Sequence, residues 1–270
     1  MAAGNNAPGA PMEMTEYAPG RPSWVDLGTP DADAGAAFYA ALFGWEITAG
    51  PPEAGGYRMC MYADVPVAGM GPQMNPDMPP WWTVYVCVAD ADATATRVRA
   101  GGGQVLVDPM DVLDVGRMAV FCDPAGAVFS AWQPRAHAGA GRIGEPSTFC
   151  WAELATRDTA EAKAFYTAVF DWGTNDNPMG PVTYTEWTVT GESIAGMMPM
   201  EGDMWPPDLL PHWMVYFAVA DTDAAAARVL ELGGVVAVEP TDIPPGRFAV
   251  CADPQGAVFS IITIAEAVGG

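Results

Sequence analysis

The strongest constraint on the fold is that the chain repeats itself. The stretch SWVDLGTPDADAGAAFYAALFGW, Ser23 to Trp45, lies over CWAELATRDTAEAKAFYTAVFDW, Cys150 to Trp172. The match continues with Tyr57 over Tyr184 and with Ala68-Gly69-Met70 over Ala195-Gly196-Met197. Further on, WTVYVCVADADA from Trp82 matches WMVYFAVADTDA from Trp213, and GRMAVFCDPAGAVFS from Gly116 matches GRFAVCADPQGAVFS from Gly246. Small changes of spacing between these blocks read as loop insertions. A duplicated chain of 270 residues therefore predicts two domains of one design, each of ordinary domain size. The expected division is a disordered arm over 1–20, a first domain over 21–134, a linker over 135–147 without apolar periodicity, and a second domain over 148–266.

Each half divides again, because the strand leading to Asp31 is echoed by one leading to Asp90, and the strand before Asp158 by one before Asp221. These strands alternate with period two: Val25, Leu27 and Thr29 on one face against Trp24, Asp26 and Gly28, then Val84, Val86 and Val88 against Thr83, Tyr85 and Cys87. The four aspartates are predicted helix N-caps. Phe38, Leu42 and Trp45, like Phe165, Val169 and Trp172, recur at helical spacing as core residues. Three shorter strands follow each helix, the last two of the even modules joined by the turn sequences Asp123-Pro-Ala-Gly126 and Asp253-Pro-Gln-Gly256. The predicted class is α+β, a tandem pair of domains, each made of two βαβββ modules forming a half-open, cupped β-barrel with helices outside.

A βαβββ module repeated in pairs, with a strand, an aspartate-capped helix carrying FYxxxFGW, and a closing DPxGxxFS hairpin, resembles the glyoxalase/bleomycin-resistance/extradiol-dioxygenase superfamily, the vicinal oxygen chelate proteins. It looks most like their two-domain actinobacterial subgroup. The resemblance implies a divalent metal held on the inward strand faces by His and carboxylate ligands. Carried across residue by residue, the usual first-strand His falls on Trp24 and Trp151, the second-module His on Thr83 and Met214, and the carboxylate on Ser130 and Ser260. None is a good ligand for a divalent ion. A fourth position lies near Met70 and Met197. The one substitute pair is Glu153 with His212, so the expectation is no metal and no other cofactor. His137, the only other histidine, falls in the linker and is expected to be solvated.

Alternation puts Trp24, Asp26, Thr83, Tyr85, Ser130 and Trp132 on the inward face of the first domain, and Trp151, Glu153, Met214, Tyr216 and Ser260 on that of the second. A four-residue turn at Asp123 would pair Ser130 with Ala119 and bring Arg117 in beside Trp132, with Arg247 following by the same count. Asp26/Arg117 and Glu153/Arg247 are then expected as buried ion pairs. Asp26, Tyr85, Glu153 and Tyr216 are candidate acid–base groups, to the extent that burial lifts the carboxylates toward neutral pKa. The remaining inward residues, with His212, are candidate ligand contacts. The Met- and Pro-rich loops from Met70 and Met197 read as lids or as packing between the domains.

A net charge of −22, from 33 acidic and 11 basic residues, repels phosphate backbones and anionic lipid, so nucleic acid and membrane partners are not expected. The five cysteines are odd in number and never spaced CxxC, which reads as a reduced, cytoplasmic setting. The expected function is binding, with transformation as an option, of a small, aromatic or cationic molecule in an aromatic-lined cup. If the protein is an enzyme, a metal-independent lyase or isomerase is expected; the alternative is a metal-dependent glyoxalase-type lyase, isomerase or dioxygenase. A monomer that mimics a dimer of single-domain chains, or a weak homodimer, is the expected state.

Overall fold

The computed structural model describes residues 12–265 apart from 74, 76 and 204. A short strand β1 (Met12–Glu13) precedes the first module, which runs β2 (Pro22–Thr29), α1 (Ala32–Phe43), β3 (Glu46–Ala49), β4 (Arg58–Tyr62) and β5 (Val65–Pro72). The second runs β6 (Trp81–Cys87), α2 (Ala91–Ala100), β7 (Gln104–Val112), β8 (Gly116–Cys122) and β9 (Val128–Pro134). After β10 (Arg142–Ile143), the third comprises β11 (Phe149–Thr156), α3 (Thr159–Phe170), β12 (Gly173–Met179), β13 (Val182–Val189) and β14 (Glu192–Pro199). The fourth comprises β15 (His212–Ala218), α4 (Thr222–Glu231), β16 (Val235–Ile243), β17 (Gly246–Ala252) and β18 (Val258–Ile264).

Asp31, Asp90, Asp158 and Asp221 cap their helices as predicted, each accepting from a backbone N–H of the first turn. Each domain is one eight-stranded sheet, β3-β4-β5-β2-β6-β9-β8-β7 and β12-β13-β14-β11-β15-β18-β17-β16. Within a domain the opening strands of the two modules meet antiparallel at the centre, Asp26 opposite Thr83 and Glu153 opposite Met214. Neither sheet closes on itself.

The two sheets share one core. Val25, Leu27, Val84 and Val86 of the first and Leu154, Val215, Phe217 and Phe259 of the second belong to a single buried cluster with the aromatic faces of α1 and α3. Phe43 of α1 packs on Phe217 at 5.0 Å between ring centroids, and Phe129 of the first domain packs on Tyr166 of α3 at 5.4 Å. The turn aspartates complete this joint. Asp253 accepts from the Tyr39 hydroxyl at 3.2 Å and Asp123 from the Tyr166 hydroxyl at 3.0 Å. The same phenols accept from Trp82 and Trp213 indoles, so both buried carboxylates and both of these indoles are satisfied. Because the core takes one face of each sheet, only the opposite, concave faces remain for a site.

One expectation changes here. Of the arm expected to be disordered, 1–11 lies outside the described residues, but 12–20 is anchored at Tyr17 and Gly20. Tyr17 is buried and donates to the Ala140 carbonyl at 2.7 Å, and the Gly20 carbonyl accepts from Trp172 at 2.7 Å. Met70 and Met197, which open the Met-rich loops, are fully buried in the shared core. Farther along the second loop, Arg157 binds the carbonyls of Met200, Pro206 and Leu209.

Candidate functional site

The concave face of the first sheet carries a short chain of hydrogen bonds ending on a carboxylate. Trp24 donates its indole N–H to the Tyr57 hydroxyl at 2.9 Å; Tyr57 donates to Asp26 Oδ2 at 3.3 Å, and Tyr85 donates to the same oxygen at 2.9 Å. The second sheet repeats it. Trp151 donates to Tyr184 at 3.0 Å, and Tyr216 donates to Glu153 Oε1 at 3.0 Å. Both bonds to Asp26 fall on Oδ2, and Glu153 is held by Tyr216 with Tyr184 also within reach.

Burial pushes the Asp26 carboxyl up to about 6, against the pull of the two phenols, and it raises Glu153 in the same direction. All four phenols lie well above their ordinary value, through burial first and the neighbouring carboxylate second. They therefore act as protonated donors near neutral pH.

Tyr57 and Tyr184 were visible in the repeat but not as site residues. They arrive from the outer strands of the first and third modules, Tyr57 just before β4 and Tyr184 on β13, and lie over Gly69 and Gly196, the cross-strand neighbours of Asp26 and Glu153. A Cβ on either glycine would overlap the tyrosine hydroxyl. The conserved spacing of Tyr and Gly in both halves was the signal available in the sequence. The position expected near Met70 and Met197 thus belongs to the adjacent glycines, since Met70 and Met197 point into the core.

Trp24, Asp26, Thr83, Tyr85, Ser130 and Trp132 share the first concave face as predicted, and Trp151, Glu153, Met214, Tyr216 and Ser260 the second. Thr83 accepts from Trp81 at 3.0 Å. Ser130 and Ser260 are fully buried beside Tyr85 and Tyr216, and neither hydroxyl makes a bond of full geometry.

Arg117 and Arg247 are not in the cups. The connection between β8 and β9 spans five residues, because Asp123 holds Ala127 by backbone and side-chain bonds, and Ser130 pairs with Val120 instead of Ala119. That one-residue slip turns Arg117 to the other face, where it binds Asp92 and Asp111; Arg247 likewise binds Asp223 and Asp242. The predicted ion pairs with Asp26 and Glu153 do not form. Of the eleven basic residues, Arg157 holds carbonyls and each of the others faces a carboxylate outside the cups. The cup carboxylates are consequently left without a cation.

His212 turns its ring to the Leu210 carbonyl at 2.9 Å, away from any pairing with Glu153. Among the described residues no three His, Cys, Asp or Glu side chains converge. With Trp, Thr or Met, Gly and Ser at the corresponding positions, the donor set does not fit a divalent ion. His137 is not solvated as expected. It packs edge-on against Trp24 at 4.6 Å and Trp132 at 5.8 Å, and burial lowers its pKa.

Paired βαβββ sheets, back to back on a shared core with a carboxylate-centred cup on each outer face, define a two-domain protein of the vicinal oxygen chelate fold. The chain belongs to the Glyoxalase/Bleomycin resistance protein/Dioxygenase superfamily: that family model matches residues 148–261, and a Glyoxalase-like domain model matches residues 24–132. It is 41% identical over 268 residues to the Anthracycline biosynthesis protein DnrV of Streptomyces peucetius, covering 94% of this chain and 96% of that one. It is 42% identical over 258 residues to a Mycobacterium tuberculosis protein named "Putative glyoxylase CFP32", covering 93% and 97%. Among solved structures it resembles the Mn(II)-bound glyoxalase from Novosphingobium aromaticivorans, with a TM-score of 0.65 at 19% identity, covering 92% of this chain and 83% of that one. No helix among the described residues is long and apolar enough to cross a membrane.

Proposed function

We propose that the protein binds a small, flat aromatic or cationic molecule on the concave face of its sheets. The observation that carries this reading is a buried carboxylate held by phenols, set among Trp and Tyr rings and not neutralised by any basic side chain. Rings supply contact area and an attractive face for a cation. The carboxylate orients the guest, and the net charge of −22 draws cations in. A relative of similar length is named for anthracycline biosynthesis, and flat fused rings of that kind suit stacking on Trp24 or Trp151.

Acid–base work on the bound guest is the second reading, favoured by an Asp26 carboxyl lifted to about 6 next to protonated phenols. It makes the protein a metal-independent lyase or isomerase. Free cysteines throughout fit a cytoplasmic setting, and the shared core fits a monomer carrying both halves of what single-domain chains assemble as dimers.

Titration with a planar aromatic cation, followed by Trp fluorescence, tests the binding reading. Quenching that weakens in Trp24→Ala or Trp151→Ala is expected. Unaltered affinity in both variants moves the site out of the cups, and near-stoichiometric metal in protein purified without chelators, lost in Glu153→Ala, restores the metal-dependent alternative.

A further inference from the structure

The two concave faces share their carboxylate-centred hydrogen bonds but differ in what surrounds them. In the first, Trp24, Tyr85 and Trp132 form a closed cluster with Ala140, packed by Met59, Val112, Val115, Met118 and Ile143. Ala140 and Ile143 come from the segment that joins the domains. That segment is bonded in place: Ala140 donates to the Ser23 carbonyl at 2.8 Å, His137 donates its backbone N–H to Val115, and the His137 carbonyl accepts from the Trp132 indole at 2.8 Å. The His137 imidazole sits edge-on to Trp24, and its Nε2 is buried without a partner. An aromatic ring of the chain itself thus packs against Trp24. Trp24 is only 4% exposed.

In the second, register places Glu186 where Met59 stands, so that Glu153 and Glu186 flank Gly196 on one face. Ile262 replaces Trp132, and Phe248 replaces Met118. Exchanging an indole for a sec-butyl group removes one ring from the wall, and exchanging Met for Glu makes the cup more acidic. Ser260 is fully buried beside Tyr216, with a hydroxyl that lacks a bond of full geometry. Trp151 is only partly buried, whereas Trp24 is buried.

We infer that the ligand site of the chain is the second cup, which takes one flat, cationic aromatic molecule between Trp151, Phe248 and the Glu153 carboxylate, while the first cup is filled by the chain's own linker with His137 as the internal occupant. This rests on the binding reading above. Cation–π attraction to Trp151 and two carboxylates on one face select a positively charged guest over an anionic one.

Proflavine, a planar aromatic cation, serves as the probe for the full chain. Calorimetry is expected to give one equivalent per chain, with affinity reduced tenfold or more by Glu153→Gln, a variant that keeps the shape of the side chain. In indole N–H spectra the Trp151 resonance shifts on saturation and that of Trp24 does not. His137→Gly is expected to raise the stoichiometry to two. Two equivalents in the unmodified chain, or a shift at Trp24 without one at Trp151, overturns the assignment while leaving the binding reading intact. Absence of uptake by the unmodified chain and by His137→Gly alike sinks both.

Discussion

Tyr57 and Gly69 form a fitted pair: the phenol lies directly over the glycine, and its hydroxyl occupies the space in which any Cβ at Gly69 would stand. Tyr184 and Gly196 repeat the fit in the second domain. The glycine's missing side chain is therefore what lets a phenol reach the carboxylate on the adjacent strand. Gly196→Ala is expected to expel Tyr184 and cost about 1–3 kcal/mol, as other overpacked sites do, or about 2–4 °C in Tm per kcal/mol for a chain of this size. Calorimetry of Gly196→Ala against Gly196→Ala/Tyr184→Ala checks it; the second change should recover part of the loss.

The Asp26 carboxyl gives stability a defined pH dependence. Its folded value of about 6 lies above the ordinary 3.8, so the folded state holds the proton more tightly than the unfolded chain. The stability this supplies is present in full below about pH 4 and is lost as pH rises through 6. Asp26→Asn, which stays neutral, should therefore gain on the parent across that window, by roughly 1–3 kcal/mol above pH 7. Denaturant melts at pH 4 and pH 7.5 decide the sign. A gain confined to the acid side would contradict it.

The joint between the domains rests on two phenols. Tyr39→Phe leaves the buried Asp253 carboxylate and the Trp82 indole each short of a partner, and Tyr166→Phe does the same to Asp123 and Trp213. Each change is expected to cost about 1–3 kcal/mol. Because the aromatic core is continuous across both sheets, the parent should melt in a single calorimetric transition, and a split into two in either variant would locate the coupling in these bonds.

Arg157 has Pro30 as its counterpart in the first half, so this guanidinium tie between the long loop and the strand leading into α3 has no equivalent side chain in the first domain. Arg157→Ala removes bonds to three carbonyls of that loop. Backbone amides around Met200 and Leu209 are expected to exchange several-fold faster with solvent, while those of Leu154 and Val215 in the core keep their protection. Hydrogen exchange read by mass spectrometry distinguishes this from a global loss of stability.

What was legible in the sequence is what local periodicity dictates. Alternation placed Trp24 and Asp26 opposite Val25 and Leu27 without any knowledge of the neighbours, because successive side chains of a strand must point to opposite faces. Capping aspartates marked the helix starts for an equally local reason, and self-similarity supplied the rest of the architecture.

Arg117 shows where that reasoning stops. Its face depended on the length of one connection, and a single residue, Ala127, held by the Asp123 carboxylate, reversed it. Tyr57 reached the site across a neighbouring strand, marked in the sequence only by its repeated spacing to Gly69, and His137 reached it because the linker folds back over the sheet it has just left, a move that leaves no pattern in its own segment. The duplication, the strands and helices and the inward residues of each opening strand were legible from residue order alone, since those follow from spacing along the chain. Packing in three dimensions set where His137 lies, which arginines stay outside, and that two aspartates in tight turns join the domains through tyrosines, because each depends on groups far apart in sequence competing for the same space and the same hydrogen bonds.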